Sequence, residues 1–197
     1  MATNTELTKQ QIRQQMLTWR QGLSNEQVES ASQQVSRRLL DLKEINSAEV
    51  VLLYRAFRNE INLDPLFSAF WQAGKQCLVP RVEQGELCIK QVNSLQTDFE
   101  AGSFGVLEPL ASLPEADLAR VQVVLVPGCG FDRLGYRLGW GKGFYDRLLV
   151  RLPQNCLRIG VGYEGQVVDQ LPRDAWDQRL DMLVTGGEIW RWGAALQ

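Results

Sequence analysis

The chain has 197 residues, of which 45% are hydrophobic and 22% are charged. These are ordinary values for a globular domain, and a chain of this length can bury a full core without disulfides or structural metals. The net charge of −2 provides no global attraction for nucleic acid or for an anionic membrane, so we expect neither as a partner.

The chain contains no histidine. Its absence excludes Ser-His and Cys-His nucleophilic mechanisms, histidine-ligated zinc and imidazole acid–base catalysis. The cysteines Cys77, Cys88, Cys129 and Cys156 form no CxxC pair, which predicts reduced thiols and a cytoplasmic protein. No apolar run is long enough to predict a signal peptide or a membrane span. The chemistry left is that of carboxylates, amines, guanidinium groups, backbone N–H groups and a hard metal ion such as Mg²⁺.

The amino-terminal part predicts two helices. Apolar residues at helical spacing over residues 6–21 predict a first helix that ends at Gly22. A capping box at Ser24–Gln27 opens a second helix, whose apolar face comprises Val28, Ala31, Val35, Leu39 and Leu42. We expect these first 42 residues to form a helical pair that packs on a sheet rather than a separate domain.

Short apolar runs separated by helical patterns follow. Glu49–Tyr54 is typical of a strand buried on both faces, and Leu63–Ala73 predicts a helix. Gln76–Val82 and Glu86–Val92 predict a hairpin, whereas residues 93–120 contain several glycines and prolines and predict an irregular segment.

The carboxyl-terminal half continues the alternation. Val121–Val126 is the clearest buried strand, Lys142–Leu152 predicts a helix, and Leu157–Tyr163 and Asp181–Thr185 predict further strands. Alternating strands and helices predict an α/β fold, with a layered, mostly parallel sheet flanked by helices. No repeat or linker divides the chain, so we expect residues 1–197 to form a single domain with the helical pair at its amino terminus.

A glycine-rich segment, Arg137–Asp146 (RLGWGKGFYD), follows the clearest strand. Ligands of open α/β sheets bind outside the carboxyl ends of the strands. Gly139, Gly141 and Gly143 allow the backbone to approach a ligand closely, and Arg137 and Lys142 add positive charge before a helix. The segment predicts a phosphate cradle, with a structural turn as the alternative. It matches neither a P-loop nor a GxGxxG motif.

The stretch 126–149 (VPGCGFDRLGYRLGWGKGFYDRLL) closely resembles the signature of the 5-formyltetrahydrofolate cyclo-ligase family. Other segments resemble motifs of the same family in the same order: Lys9–Arg13, Glu60–Ile61, Gly105–Pro109 and Leu180–Thr185. The resemblance therefore extends over essentially the whole chain. One departure is Trp176, which stands where many members carry histidine.

The resemblance implies an enzyme that converts 5-formyltetrahydrofolate to 5,10-methenyltetrahydrofolate, with ATP as co-substrate, Mg²⁺ as cofactor, and release of ADP and phosphate. Phosphoryl transfer relies on positioning and charge neutralisation rather than on a protein nucleophile, which suits a chain without histidine. The expected partners are the two small-molecule substrates, and we expect a monomer or a weak homodimer.

The resemblance also implies roles for particular residues. The expected catalytic residues are Lys142 and Arg137. The expected ATP-binding residues are Lys9, Arg13, Arg137, Gly139, Gly141, Lys142, Gly143 and Tyr145. The folate pocket is expected to include Glu60, Arg55, Tyr54, Trp140 and Phe144. The expected Mg²⁺ ligands are Asp146 and Asp181, with Asp132 (otherwise a loop-turning residue) and Asp177 as weaker candidates.

Residue chemistry alone leaves simpler interpretations open. Lys9 and Arg13 are typical of a solvated basic helix face, Glu60 of a surface loop, and Asp146 of the first turn of a helix. Two other functions are also open. One is a different enzyme on a similar scaffold, such as a sugar-phosphate isomerase or a CoA-transferase relative that ignores ATP. The other is a non-catalytic folate or nucleotide sensor.

Overall fold

A computed structural model describes residues 7–102 and 105–192. The helices are α1 (Lys9–Gln21), α2 (Asn25–Leu40), α3 (Lys43–Ser47), α4 (Asp64–Gln72) and α5 (Phe144–Arg151). The strands are β1 (Val50–Leu52), β2 (Gln76–Glu83), β3 (Glu86–Val92), β4 (Phe99–Ala101), β5 (Leu107–Pro109), β6 (Val123–Pro127), β7 (Gly130–Asp132), β8 (Arg137–Leu138), β9 (Leu157–Val161), β10 (Val167–Val168), β11 (Met182–Val184) and β12 (Ile189–Arg191).

The main sheet has seven strands in the order β12-β11-β9-β6-β1-β2-β3. The five inner strands pair in parallel, and the two edge strands β12 and β3 are antiparallel to their neighbours. A smaller sheet joins β10, β7 and β8, and β4 pairs with β5 as a separate hairpin. The predicted α/β fold with a mostly parallel sheet is confirmed.

The inner strands are apolar on both faces because helices cover both faces. In β1 and β6, Val51 and Leu125 point into the core layer that α2 and α4 complete. Leu52 and Val124 point into the opposite layer, against α5. A strand covered on both sides has no polar face to present to water, which explains its continuous apolar sequence.

The boundaries of the first two helices follow from local capping. Thr8 and Ser24 each form a complete capping box, with Gln11 and Gln27 as their respective partners. The N–H of Gly22 bonds back to carbonyl groups of the last turn and closes α1. The capping box predicted at Ser24 and the helix end predicted at Gly22 are therefore both observed.

The two amino-terminal helices pack on different parts of the molecule. In α2, Val35 and Leu39 are fully buried in the main core. In α1, Ile12 belongs instead to a small cluster with Leu138 and Leu171 beside the three-stranded sheet. The helical pair exists as predicted, but α1 lies against the glycine-rich part of the chain rather than on the main sheet.

Sequence periodicity missed the shortest elements. The segment predicted to be irregular contains β4, β5 and a 3₁₀ turn at Leu118–Arg120. Strands of two or three residues have too few positions for an alternating pattern, so their pairing is decided by tertiary contacts. Within the described ranges, no helix has the length and apolar character needed to cross a membrane.

We expect Leu39→Ala to lower the free energy of unfolding by about 2–5 kcal/mol, because it leaves a cavity in a layer that is fully closed to solvent. The matched control is its neighbour Leu40→Ala, whose parent side chain is 37% exposed and should cost less than about 1 kcal/mol. Urea unfolding measures both values. Equal losses for the two variants would contradict the packing of α2.

Candidate active site

A cavity of about 520 Å³ opens at the carboxyl ends of β1 and β6. The parts of the chain that surround it include α1, the loop after β1, the β2–β3 hairpin, the β5 hairpin strand and the glycine-rich segment. A further short stretch around Asp174–Asp177 closes the side next to α1. The ligand-binding edge of an open α/β sheet is therefore enclosed on several sides.

The glycine-rich loop connects β8 to α5 and depends on two left-handed residues. Gly141 has φ 94° and Gly143, the residue before α5, has φ 67°. Arg13 of α1 holds this loop, since its Nε donates to the carbonyl oxygen of Gly139 at 2.8 Å. A Cβ at Gly141 would lie 3.4 Å from the Arg13 guanidinium carbon. The glycines therefore let α1 and the loop approach each other.

Arg137 and Asp146 form a buried ion pair at the start of α5. The Arg137 Nη2 lies 3.1 Å from Asp146 Oδ1, and the Arg137 side chain is 3% exposed. Burial lowers the pKa of Arg137, and the charge of Asp146 opposes that change. The Arg137 Nε has no hydrogen-bond partner within the described part of the chain. The ion pair thus fixes a guanidinium group at the cavity wall.

Lys9 lies between two carboxylates. Its Nζ is 2.7 Å from Asp174 Oδ2 and 2.5 Å from Asp177 Oδ2. Burial alone would lower the pKa of Lys9, but its hydrogen bonds to the two aspartates outweigh that effect and raise it. The residue expected to bind phosphate is thus charged, and its counter-ions line the same cavity.

Glu60 is a buried carboxylate that faces the cavity. Its Oε2 accepts from the N–H of Phe57 at 3.1 Å, and its Oε1 accepts from Trp140 Nε1 at 3.3 Å. Burial raises the pKa of Glu60, and the charge of Arg20 opposes the rise. The surface-loop interpretation of Glu60 is therefore wrong, since the side chain is withdrawn from solvent and held in place.

Trp140 forms an aromatic wall above Glu60. The centre of its ring lies 5.5 Å from that of Phe57, and the guanidinium carbons of Arg20 and Arg58 lie 5.5 and 5.6 Å from it. The side chain remains 37% exposed. A partly open, rigid aromatic face next to an acceptor carboxylate is suited to a flat heterocycle with N–H donors.

The cavity brings together nearly all of the predicted site residues. Those that line it are Lys9, Arg13, Tyr54, Arg55, Glu60, Arg137, Gly139, Trp140, Gly141, Lys142, Gly143, Phe144, Tyr145 and Asp146. Two of them are engaged in the scaffold: Tyr54 donates to the carbonyl oxygen of Ile61, and Arg55 pairs with Asp64.

Asp181 lies apart from the cavity, so the expectation that it shares a metal ion with Asp146 is wrong. It directly precedes β11, and β11 runs parallel to the strands whose carboxyl ends border the cavity. Its position is therefore at the opposite edge of the sheet. There its Oδ2 accepts from the N–H of Arg158 at 2.8 Å. Asp177, the weaker candidate, lines the cavity instead.

Asp132 organises a loop. Its side chain is fully buried, and Oδ1 accepts from the N–H groups of Leu134 and Tyr136. Its Oδ2 accepts from the N–H of Leu171 and lies 3.4 Å from Arg173 Nη2. Of the two interpretations of Asp132, the turn-forming one fits these contacts.

Sequence reasoning missed Arg20, Arg58 and Asp174. A usable signal existed for Arg20: at about 100° per residue it lies within roughly 40° of Lys9 and Arg13 around the axis of α1. No comparable signal existed for Arg58, whose position is set by a left-handed backbone at φ 47°. Glu108, which falls within the Gly105–Pro109 motif, is buried and also lines the cavity.

The carboxylates at the cavity fit a Mg²⁺ ion that is bound together with phosphate oxygens. Within residues 7–102 and 105–192, no group of three or more histidine, cysteine or carboxylate side chains could hold a metal by itself. Mg²⁺ commonly takes one or two carboxylates and completes its shell with water and substrate phosphates. Asp146 and Asp177 supply such carboxylates beside the glycine-rich loop.

The fold and this cavity define an α/β enzyme of small molecules, with an anion-binding loop next to a heterocycle-binding wall. Residues 5–186 match the sequence profile of the 5-formyltetrahydrofolate cyclo-ligase family. The chain therefore belongs to that family.

Individual relatives agree with this assignment. The chain is 31% identical to the 5-formyltetrahydrofolate cyclo-ligase of Haemophilus influenzae over 89% of this chain and 97% of that protein. The NMR structure of Aquifex aeolicus 5,10-methenyltetrahydrofolate synthetase is similar with a TM-score of 0.85 and 37% identity, covering 97% of each chain. The Mycoplasma pneumoniae synthetase, at 24% identity and a TM-score of 0.76 over 91% of this chain and 99% of that one, shares the fold.

We expect Asp132→Asn to lower the free energy of unfolding by about 2 kcal/mol or more, because an amide cannot accept all the hydrogen bonds that converge on the carboxylate. The control is Asp169→Asn, whose parent side chain is 97% exposed and pairs with Arg133 at the surface. That change should cost about 0.5 kcal/mol or less. Chemical denaturation measures both, and a near-neutral Asp132→Asn would contradict the assigned loop role.

Proposed function

We propose that the chain converts 5-formyltetrahydrofolate to 5,10-methenyltetrahydrofolate and hydrolyses ATP to ADP and phosphate. Membership of the cyclo-ligase family supports this reaction. The observation that carries it is the cavity itself, where a cationic glycine-rich loop, two carboxylates and the Glu60–Trp140 wall adjoin. An anion-binding loop and a heterocycle-binding wall in one cavity support a reaction between the two substrates.

The formyl oxygen of the substrate is a poor leaving group, so the reaction must first activate it. The formyl oxygen on N5 attacks the γ-phosphorus of ATP, and the bond between that phosphorus and the leaving ADP oxygen breaks. The N10 amine then forms a bond to the formyl carbon and loses its proton, and the carbon–oxygen bond breaks as phosphate leaves. Atoms and charges balance with no covalent bond to the protein, so positioning and charge neutralisation dominate catalysis.

The phosphates are assigned to the glycine-rich loop. Lys142 and Arg137 are the catalytic cations, the backbone of Gly139–Gly143 and the start of α5 add N–H donors, and Tyr145 lies beside Arg137. Lys9 and Arg13 clamp the nucleotide from α1. Lys9 already pairs with Asp174 and Asp177, so it exchanges a carboxylate for a phosphate on binding.

The folate is assigned to the wall next to β1. Glu60 accepts hydrogen bonds from N–H groups of the pterin, and Trp140 stacks on its ring. Tyr54, Arg55 and Phe144 border this space. The hydroxyl group of Tyr54 is already bonded to Ile61, so Tyr54 contributes mainly its ring surface, whereas Arg55 is held in place by its ion pair with Asp64.

Mg²⁺ is assigned to Asp146 and Asp177 together with phosphate oxygens. When bound, it neutralises charge that develops on the transferring phosphoryl group. Asp146 is held at the start of α5 by Arg137 and by the N–H of Gln178. Asp177 is held by Lys9. Both carboxylates are therefore oriented before any ligand binds.

The decisive test follows methenyltetrahydrofolate by absorbance and ADP by a coupled assay, with purified protein. We expect product only when 5-formyltetrahydrofolate, ATP and Mg²⁺ are all present, with one ADP released per ring closed. Sugar-phosphate isomerase or CoA-transferase activity without ATP would overturn the proposal in favour of a different enzyme. Binding of both ligands without turnover would indicate a sensor.

We also propose that residues 1–197 act as one domain in the cytoplasm, as a monomer or a weak homodimer, with no nucleic acid or membrane partner. The four cysteines are all unpaired, which supports a reducing compartment. The small net charge of −2 supports the absence of a polyanionic partner. Light scattering over a range of protein concentrations measures the oligomeric state.

Lys142→Ala should lower kcat by about 100-fold or more, because it removes a fixed positive charge from the phosphoryl-transfer site. Stability should change little, since the Lys142 side chain is exposed. Lys43→Ala removes an equivalent charge from α3, outside the cavity, and is the control. Steady-state rates of ADP release give the comparison, and near-normal turnover in Lys142→Ala would remove Lys142 from the mechanism.

Asp177→Asn should raise the Mg²⁺ concentration needed for half-maximal activity by about tenfold or more, because a neutral amide is a weaker ligand than a carboxylate. Asp181→Asn changes charge equally at the opposite edge of the sheet and should leave the Mg²⁺ requirement unchanged. Titration of Mg²⁺ at saturating ATP measures both. The reverse pattern would restore Asp181 as the ligand.

A further inference from the structure

Arg20 is a charged side chain buried behind the cavity wall. It lies in the last turn of α1 and is 1% exposed. Its Nε donates to the carbonyl oxygen of Arg58 at 3.0 Å, and its Nη1 donates to that of Gly128 at 3.1 Å. Burying a guanidinium group is costly unless an opposite charge lies close to it. That charge is Glu60, whose Oε1 is 3.6 Å from Arg20 Nη2.

The two side chains interact mainly through their charges. In the described part of the chain, Arg20 Nη2 has no hydrogen-bond partner. Both oxygens of Glu60 instead accept from neutral donors, the N–H of Phe57 and Trp140 Nε1. Glu60 therefore keeps acceptor capacity for a ligand while a positive charge remains next to it.

Arg20 also holds the turn that presents Glu60. Arg58 and Asn59 have φ values of 47° and 59°, which are unfavourable for residues other than glycine. Arg20 bonds the Arg58 carbonyl group, and Asn59 Nδ2 donates back to the carbonyl oxygens of Arg20 and Leu23. The end of α1 and the turn before Glu60 are thus tied together from both sides.

We propose that Arg20 is a positioning residue for this reaction: from behind the wall, it places a positive charge against Glu60 and holds the turn that aims this carboxylate into the cavity, where it can accept pterin N–H groups. The inference rests on the proposed folate-binding role of Glu60. Arg20 itself does not line the cavity, so its effect on substrate is transmitted by Glu60.

The surroundings of Glu60 make Arg20 its main source of positive charge. Burial raises the pKa of Glu60, and Arg20 is the largest of the influences that lower it. Arg58 instead stacks on aromatic rings, with its guanidinium carbon 4.8 Å from the ring centre of Phe57 and 5.6 Å from that of Trp140. The other titratable groups near Glu60 are phenols and a thiol whose pKa values burial raises, so they are neutral at neutral pH: Tyr54, Tyr145, Tyr163 and Cys129.

Loss of the Arg20 charge should therefore move the pKa of Glu60 further upward. A carboxylate with a raised pKa is protonated over a wider acidic range, and a protonated Glu60 is a poorer acceptor. Folate binding in such a variant should weaken as the pH falls and recover as it rises. A substitution that only disturbed the shape of the folate pocket would weaken folate binding by a similar factor at every pH.

The test uses the full chain and measures KM for 5-formyltetrahydrofolate and for ATP by ADP release, from about pH 6 to about pH 9. In Arg20→Met, the midpoint of the folate KM profile should move up by about one pH unit or more relative to the native chain. KM for ATP should follow the native profile. Arg20→Lys keeps a charge and should lie close to the native profile. Arg37→Met, on the exposed side of α2, is the control for general loss of arginine.

The Glu60→Gln variant distinguishes the proposed folate-binding role of Glu60 from the positioning role of Arg20. Unchanged folate KM in Glu60→Gln would overturn the role of Glu60 in the proposed function. Raised folate KM in Glu60→Gln, together with an Arg20→Met profile that is parallel to the native one, would overturn only the role of Arg20. If Arg20→Met does not fold, Arg20→Gln, which is also neutral but keeps hydrogen-bond donors, takes its place: an upward shift of its folate KM profile supports the inference, and an unshifted profile overturns it.

Discussion

The structure depends on charges that are withdrawn from water at the carboxyl edge of the sheet. Arg20, Glu60 and Arg137 are all buried there, and each lies next to an opposite charge. A buried ion left without its partner would cost several kcal/mol, so the segments that carry these groups must assemble together. One such segment is α1, which pairs with the loop after β1. Another is β8, whose Arg137 pairs with Asp146 of α5.

This constraint gives α1 a larger role than its position in the chain suggests. Its apolar contacts lie mostly outside the two main core layers, with Ile12 and Met16 in a small satellite cluster and Trp19 against Tyr163. Its polar contacts reach three walls of the cavity: Lys9 to Asp174 and Asp177, Arg13 to Gly139, and Arg20 to the turn before Glu60. Much of the contact between α1 and the body is therefore made at the walls of the cavity. Under the ATP-binding role proposed for Lys9, a phosphate replaces one of its two carboxylate partners.

The long inner elements could be predicted because their causes are local. β6 is apolar on both faces, and Ser24 caps α2 through a residue three positions away. Strands such as β8 and β10 have two residues each, and only their partners make them strands. The glycine-rich segment was located for a local reason too, since Gly141 and Gly143 have φ values that favour glycine. Asp181 was misassigned because motif order does not tell at which end of a strand a residue lies. Arg20 was missed because its partner, Glu60, is distant in sequence.

The protonation states in the cavity explain why this site suits a reaction that activates the formyl oxygen by phosphorylation. The chain has no histidine, and burial raises the pKa of Cys129 to about 11 and that of Tyr163 to about 12. Arg137 and Lys9 are held as cations by their carboxylate partners. Few groups near the cavity can therefore exchange a proton at neutral pH, although ring closure must release one from N10. The departing phosphate can accept that proton, since its second pKa lies near neutrality. The reaction thus supplies its own base, and the protein supplies fixed charge and a shaped wall.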